Sequence, residues 1–135
     1  MPDLHWNPRY SVKVKRFDDD HQQLFTIINQ LRKQMRGRPG EDQLQDVLMQ
    51  LLRSSEQHFA REEAEMKSRG YPKLQAHMQQ HCGFAGVLRD FCEQHRTGTA
   101  ALSSEMLDFL AWWLATHIVG TDQQYSVFLN ARGVV

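Results

Sequence analysis

The sequence predicts an all-α fold, an up-down-up-down antiparallel four-helix bundle with an extended N-terminal arm. Three observations favour this fold. Apolar residues recur with helical spacing in four long segments, and no segment alternates between polar and apolar residues over a useful length. The connections between the segments are short and contain Gly and Pro. Short connections make consecutive helices antiparallel neighbours, as in an up-down bundle.

Gly and Pro mark the connections at residues 36–42, 68–73 and 96–99. Between them the pattern predicts four helices, over residues 18–36, 41–69, 72–95 and 103–128. Asp18 and Ser103 have side chains that can cap helix N-termini, and Pro72 suits the first position of a helix. We therefore expect three of the helices to begin at or beside these residues.

Residues 1–17 precede the first predicted helix. We expect them to form an extended arm whose Trp6 and Tyr10 dock on the bundle. Residues 1–135 are expected to form one domain, because this length is typical of a single domain with its own core.

The charge balance narrows the classes of function. Lys and Arg together number 16, and so do Asp and Glu, which argues against a nucleic-acid-binding protein because such domains are usually basic. The longest apolar run, residues 109–115, is too short to span a membrane, and the first residues lack the apolar core of a signal peptide. From the neutral balance and the absence of a long apolar patch we expect a monomer.

Cys82 and Cys92 fall on one predicted helix, where about 15 Å along the axis separates them, too far for a disulfide. Reduced thiols and the missing signal peptide favour a cytoplasmic protein. Cys82 points away from its neighbour His81 and is expected to be a packing residue.

Five of the seven histidines fall on the predicted inward stripes, and every stripe carries at least one. These histidines and the acids on or near the stripes are His21, His58, Glu62, His77, His81, His117 and Asp122. A single inward histidine is more often a hydrogen-bonded core residue than a ligand. A set spread over all four stripes instead indicates a metal site in the middle of the bundle. His5 and His95 lie outside the stripes and are expected to be solvated.

The energetics of burial favour a metal at these residues. An ionised Glu62 in an apolar core costs several kcal/mol, and the stripes offer no Lys or Arg to pair with it. A cation removes this cost and keeps the imidazoles neutral. His117 and Asp122 are five residues apart and diverge by about 140° on a regular helix. Either a π-type bulge near Gly120 distorts the helix, or Asp122 reaches the site from the side.

The donors are too many for one ion. If both acids bridge two metals and a hydroxide or oxide joins them, the donors fill all but one position around two octahedral ions. Five imidazoles cannot divide evenly, so the open position belongs to one of the two metals. A nitrogen-rich, carboxylate-bridged set without thiolate suits iron, whereas structural zinc prefers four closed ligands.

Four stretches together resemble the hemerythrin signature. They are "DDDHQQLF" (18–25), "HFARE" (58–62), "HMQQH" (77–81) and "HIVGTD" (117–122). The resemblance implies two iron ions, one bound by three histidines and one by two, with both acids and a hydroxo or oxo group as bridges. The three histidines are His77, His81 and His117, the two are His21 and His58, and the acids are Glu62 and Asp122.

The resemblance also implies reversible binding of dioxygen at the iron held by two histidines. The protein would then serve as an oxygen carrier, a store, or a supplier to an oxygen-consuming enzyme. In similar proteins an apolar pocket matches four residues of this chain, and we expect such a pocket to exclude water. They are Phe59, Trp113, Leu114 and Ile118.

Two other functions are weighed against oxygen binding. A di-iron oxidase, peroxidase or nitric-oxide reductase needs an acid or base beside the metals, and the sequence offers none that ligation does not already use. An oxygen or iron sensor usually carries an output domain, for which 135 residues leave no room.

Overall fold

The computed structural model of the chain describes residues 3–37 and 40–135. Residues 1–2 of the predicted arm and residues 38–39 of the first predicted connection lie outside the described residues. The elements are helices: α1 (Lys15–Arg36), α2 (Glu41–Ser68), α3 (Leu74–Arg96), α4 (Ser104–Thr116), a π-helical segment (His117–Asp122) and α5 (Gln123–Asn130). A short 3-10 turn, Pro8–Tyr10, precedes them.

The helices form the predicted four-helix bundle. Helix α1 packs against α2 and α4, and α2 packs against α3. The π-helical segment joins α4 to α5 without a break, so these three elements form the fourth rod of the bundle. None of the helices in the described ranges has the length and apolar character that crossing a membrane requires.

Two of the predicted helix starts are wrong. Helix α1 begins at Lys15, and Asp18 lies inside it, where its carboxylate accepts hydrogen bonds from the Val12 backbone N–H at 2.8 Å and the Ser11 hydroxyl at 2.6 Å. This carboxylate therefore ties the arm to α1. Helix α3 begins at Leu74, two residues after Pro72. The third prediction is confirmed, because the Ser103 hydroxyl accepts a hydrogen bond from the Met106 N–H at 3.1 Å.

The arm packs along α1, as its aromatic residues predict. The rings of Trp6 and Tyr10 lie 5.8 and 5.0 Å from the ring of Phe25, measured between centroids. Further along the arm, the Ser126 hydroxyl of α5 donates a hydrogen bond to the Val12 carbonyl at 2.7 Å. The arm thereby connects the first and fourth rods.

Two sequence-based expectations about side-chain exposure are wrong. His95, near the end of α3, is buried rather than solvated because it packs against the start of α2. Its Nδ1 lies 2.6 Å from the Gln45 amide oxygen and its Nε2 2.7 Å from the Glu41 carboxylate. Cys82 is exposed rather than packed. Both cysteines are free, as predicted, and burial raises the pKa of the Cys92 thiol to about 11.

The apolar core divides into two clusters along the bundle. Phe59 belongs to the larger cluster and Phe17 to the smaller one. The Phe59 ring stacks on His81 at 3.9 Å, and the Phe17 ring meets His58 edge-on at 6.0 Å. The buried histidines His58 and His81 therefore lie between two apolar layers.

Candidate metal centre

All five inward histidines and both acids predicted as ligands meet between the two apolar clusters. Each of the seven residues is at most 5% exposed. They come from every rod: His21 from α1, His58 and Glu62 from α2, His77 and His81 from α3, and His117 and Asp122 from the π-helical segment. The inward polar stripes read from the sequence thus converge on one point of the bundle.

Glu62 directs its two oxygens to opposite sides of the cluster. Its Oε2 lies 3.3 Å from Nε2 of His21 and 3.1 Å from Nε2 of His58. Its Oε1 lies 3.3 Å from Nε2 of His81 and 3.9 Å from Nε2 of His77. One carboxylate therefore contacts histidines from three different helices.

Asp122 spans the same two sides. Its Oδ2 lies 3.2 Å from Nε2 of His21, and its Oδ1 lies 3.0 Å from Nε2 of both His77 and His117. The π-helical segment over residues 117–122 explains how His117 and Asp122 reach one site across a five-residue step. Of the two explanations that the sequence left open, the π-type bulge is confirmed.

The donor atoms of the cluster lack hydrogen-bond partners. In the described part of the chain, none of the five Nε2 atoms has one, and neither do Glu62 Oε1 and the two oxygens of Asp122. Leaving so many buried polar atoms unpaired would cost about 1–3 kcal/mol for each group. Imidazole nitrogens and carboxylate oxygens are ligands for transition metals, so the residues fit bound cations. Their grouping also fits two ions, because one group contains three histidines and both acids, and a second contains His21, His58 and Glu62.

Three of the histidines contact, through their outer nitrogen Nδ1, polar residues that the sequence reasoning missed. Nδ1 of His58 lies 2.8 Å from the Asp20 carboxylate, and Nδ1 of His81 lies 2.7 Å from the Glu63 carboxylate. Asp20 is in turn paired with Arg61 through contacts of 2.9 and 3.0 Å. The expectation that no further acid lies beside the centre is thus wrong. Asp20 and Glu63 do lie beside it, but each contacts the outer nitrogen, Nδ1, of a histidine.

The third such contact joins Nδ1 of His117 to the Gln80 amide oxygen at 2.9 Å, and the Thr121 hydroxyl donates to the same oxygen. A sequence signal existed for all three partners. Asp20, Glu63 and Gln80 are each directly next to a predicted ligand. A residue one position from an inward residue is turned by about 100° toward the neighbouring helix, where it can meet a ligand of that helix.

Tyr125 is a further residue whose role was missed. Its side chain is fully buried, and its hydroxyl donates a hydrogen bond to Oε2 of Glu62. Burial and the charge of Glu62 raise the pKa of this phenol well above its usual value, so it stays a donor. The signal in the sequence was its position three residues after Asp122, a spacing that puts two side chains on the same side of a helix.

Electrostatics couple the acids to the histidines. Burial disfavours the charged form of His21, but the carboxylates of Asp122 and Glu62 outweigh it and raise the pKa of His21 to about 10. Burial alone would raise the pKa of Glu62, yet His58 and the other nearby imidazoles hold it well below its usual value. Burial would also raise the pKa of Asp122, but His117 and His21 outweigh it and lower this pKa. Without metal, these shifts favour ionised carboxylates beside a protonated His21.

The four predicted pocket residues lie along one side of this cluster. Phe59, Leu114 and Ile118 belong to the larger apolar cluster, and Trp113 packs against it. The indole of Trp113 stacks on the His117 ring at 4.5 Å, as Phe59 stacks on His81. Two imidazoles of the three-histidine side, those of His81 and His117, are thus covered by aromatic rings.

Comparisons with known proteins agree with this architecture. Residues 12–128 match the family model described as the hemerythrin HHE cation binding domain. A myohemerythrin from Theromyzon tessulatum is 31% identical, and the match covers 89% of this chain and 88% of that protein. A bacteriohemerythrin from Clostridium acetobutylicum is 27% identical, with 89% of this chain and 96% of the relative covered.

Among solved structures, a crystal structure of wild-type hemerythrin superposes with a TM-score of 0.85 at 27% identity. The superposition covers 91% of this chain and 95% of that one. The family match spans nearly the whole bundle, including all seven clustered residues. The chain therefore belongs to the hemerythrin family, which is known for oxygen binding at a di-iron site.

Proposed function

We propose that this protein binds dioxygen reversibly at a pair of iron ions held by the seven clustered residues. The observation that carries the proposal is the set of buried donor atoms without hydrogen-bond partners, contributed by all four rods of the bundle. When bound, a pair of ferrous ions supplies two electrons and an open coordination position for the gas. Every other part of the function is performed by the protein's own side chains.

The histidines divide unevenly, which supports one open position. His77, His81 and His117 lie on one side of the two acids, and His21 and His58 lie on the other. Because each acid directs one oxygen to each side, Glu62 and Asp122 are suited to bridge two ions. The side with two imidazoles has fewer donors, and it is there that we propose the gas binds.

The residues behind the rings fix the tautomer of three ligands. An imidazole that donates its Nδ1 proton to an outer acceptor leaves Nε2 free to bind a metal. Asp20, Glu63 and Gln80 supply these acceptors. Outer partners of this kind also hold the ring in the orientation that ligation needs, which supports a centre built before the metals arrive.

The apolar residues beside the centre have a separate role. We infer that Phe59, Trp113, Leu114 and Ile118 exclude water from the centre. Leu114 is 2% exposed and Ile118 is fully buried. A dry surrounding disfavours the release of charged oxygen species, and with it the irreversible oxidation of the metals. This supports reversible binding over turnover.

The optical spectrum of the iron-loaded, reduced protein tests the proposal. We expect a new absorption band when dioxygen is added and the starting spectrum when the gas is removed. Consumption of an added reductant with continued oxygen uptake would favour an oxidase or peroxidase instead. An unchanged spectrum in a protein that holds two irons would refute oxygen binding.

Proposals on cellular role follow from the same function. A reversible binder serves as a carrier, a store, or a supplier to an oxygen-consuming enzyme. The cytoplasmic location and the monomeric state expected from the sequence stay predictions.

A further inference from the structure

A surface cavity of about 170 Å³ opens between α2 and α3, beside the candidate centre. Four of its lining residues carry groups that bind divalent metals: Glu56, Glu63, His81 and Cys82. Three larger cavities, of about 330, 400 and 440 Å³, are lined, as far as the described residues go, by none of the seven clustered residues. The smaller cavity thus combines metal-binding groups with contact to the centre.

The ring of His81 separates this cavity from the interior. On its outer side, Nδ1 lies 2.7 Å from the Glu63 carboxylate. On its inner side, Nε2 lies 3.3 Å from Glu62 and has no hydrogen-bond partner within the described ranges. The His81 side chain is only 2% exposed, whereas that of Glu63 is 24% exposed. A cation held by Glu63 therefore has one imidazole between it and the central donors.

A buried centre needs a path for its ions. The seven clustered residues are at most 5% exposed, so an ion cannot reach them without the movement of at least one side chain. The cavity carries two carboxylates. Glu56 is 44% exposed at its side chain and lies 3.5 Å from the Arg89 guanidinium, which compensates part of its charge. Negative charge at a concave site attracts cations and raises the rate at which they arrive. Phe59 stacks on the His81 ring and gives the passage an apolar wall.

We propose that this cavity is the route by which ferrous ions enter and leave the centre. Glu56, Glu63 and Cys82 offer the first protein ligands, and rotation of His81 opens the way to Glu62. The step is an exchange of water ligands for protein ligands, with no change in oxidation state. The inference rests on the proposed function only in assuming that the seven residues hold iron.

A cavity-filling variant tests the route. Ala60 lines the cavity and is exposed, so Ala60→Trp places an indole in the opening without removing a donor. We expect uptake of cobalt(II), followed by its absorption in stopped flow, to slow about tenfold, and loss of cobalt to a chelator to slow by the same factor. A blocked route changes both rates equally and leaves the affinity and the number of bound ions unchanged. Ala76→Trp, at an exposed alanine of α3 outside the cavity, is the control.

A charge variant gives a second test that does not depend on how the tryptophan packs. Glu56→Gln is expected to slow uptake at low salt, and the effect should fade at high salt because screening weakens steering. Asp46→Asn, an exposed acid on the same helix, is the control and should keep the unaltered rate.

The outcomes separate the route from the proposed function. Equal uptake rates in Ala60→Trp and Ala76→Trp, with full metal binding in both, would overturn the route and leave the centre intact. An unaltered rate in Glu56→Gln at low salt would also count against it. Failure of the unmodified protein to bind metal would instead contradict the proposed function.

Discussion

The two halves of the candidate centre share both carboxylates but differ in their imidazoles. One half has three, His77, His81 and His117, and the other has His21 and His58. Tyr125 adds to the difference, because its hydroxyl binds the Glu62 oxygen that faces the two-histidine half. Because that oxygen already accepts a hydrogen bond, it would be the weaker ligand of a bound metal.

The hydrogen-bond partners of the outer imidazole nitrogens, Nδ1, differ as well. His58 is backed by Asp20, whose charge Arg61 partly compensates. His21, in contrast, has no hydrogen-bond partner for Nδ1 among the residues that the structure describes. In the three-histidine half, Glu63 contacts the outer nitrogen of His81 and Gln80 that of His117, so this half would hold a metal more firmly. The other keeps fewer donors and a less constrained ring, which suits a metal with an open position.

Removal of a ligand from the poorer half should have the largest effect. With only His21 left on that side, His58→Ala is expected to reduce the bound iron from two ions per chain to about one and to abolish reversible oxygenation. Metal analysis by mass spectrometry measures the first effect and oxygen-dependent spectra the second. His5→Ala, at an exposed histidine, should leave both unchanged. Two irons and normal oxygen binding in His58→Ala would refute the ligand assignment.

The outer carboxylate of the same half gives the next largest effect. Asp20→Asn removes the charge behind His58, and outer partners of this kind are worth about 10–100-fold in metal affinity. Competition with a coloured chelator measures that affinity. The control is Asp19→Asn, because this neighbouring acid is exposed and paired with Lys15 on the surface. If both variants bind metal equally well, Asp20 has no role in ligation.

The pH dependence of metal binding follows from the same region. His21 has a pKa of about 10 without metal and is therefore protonated at neutral pH, whereas Glu62 and Asp122 have lowered pKa values and are already ionised. Binding a metal must release the His21 proton. Affinity should thus rise by about tenfold per pH unit for each proton released, between about pH 6 and 9. Calorimetry in buffers of different ionisation enthalpy counts the protons, and binding without proton release would contradict this electrostatic description.

The apolar wall should give the smallest effect on the metals themselves. Leu114→Ala is expected to leave the iron content unchanged but to speed oxidation of the oxygenated protein several-fold, because water gains access. It should also lower the free energy of unfolding by about 2–5 kcal/mol, as for other buried leucines. Leu48→Ala is the control, because truncating this fully buried leucine of α2 should lower the free energy of unfolding by a similar amount. Equal oxidation rates in the two variants would show that Leu114 does not exclude water.

Periodicity made the bundle and the inward polar set predictable. Each ligand candidate stood on or near an apolar stripe, and a helix repeats its face every three to four residues. The start of α1 was not predictable in this way, because Asp18 binds the arm, and a contact between elements leaves no local signal. His95 was misjudged for the same reason, since its partners Glu41 and Gln45 lie on another helix.

The position of Asp122 shows where pattern reasoning reaches its limit. A five-residue step is wrong for a regular helix, so the sequence alone left two geometries open. The structure has the first of these geometries: the helix is π-helical over residues 117–122, so Asp122 does not reach the site from the side. Asp20, Glu63 and Gln80 were missed because the search followed only the inward stripes, and these three side chains point along the interfaces between helices.

A crystal structure of the iron-loaded protein, with iron located by anomalous scattering, tests the central claim most directly. We predict two iron positions that share Glu62 and Asp122, one bound by three histidines and one by His21 and His58. A single iron, an even division of the histidines, or five imidazoles hydrogen-bonded around an empty middle would contradict it.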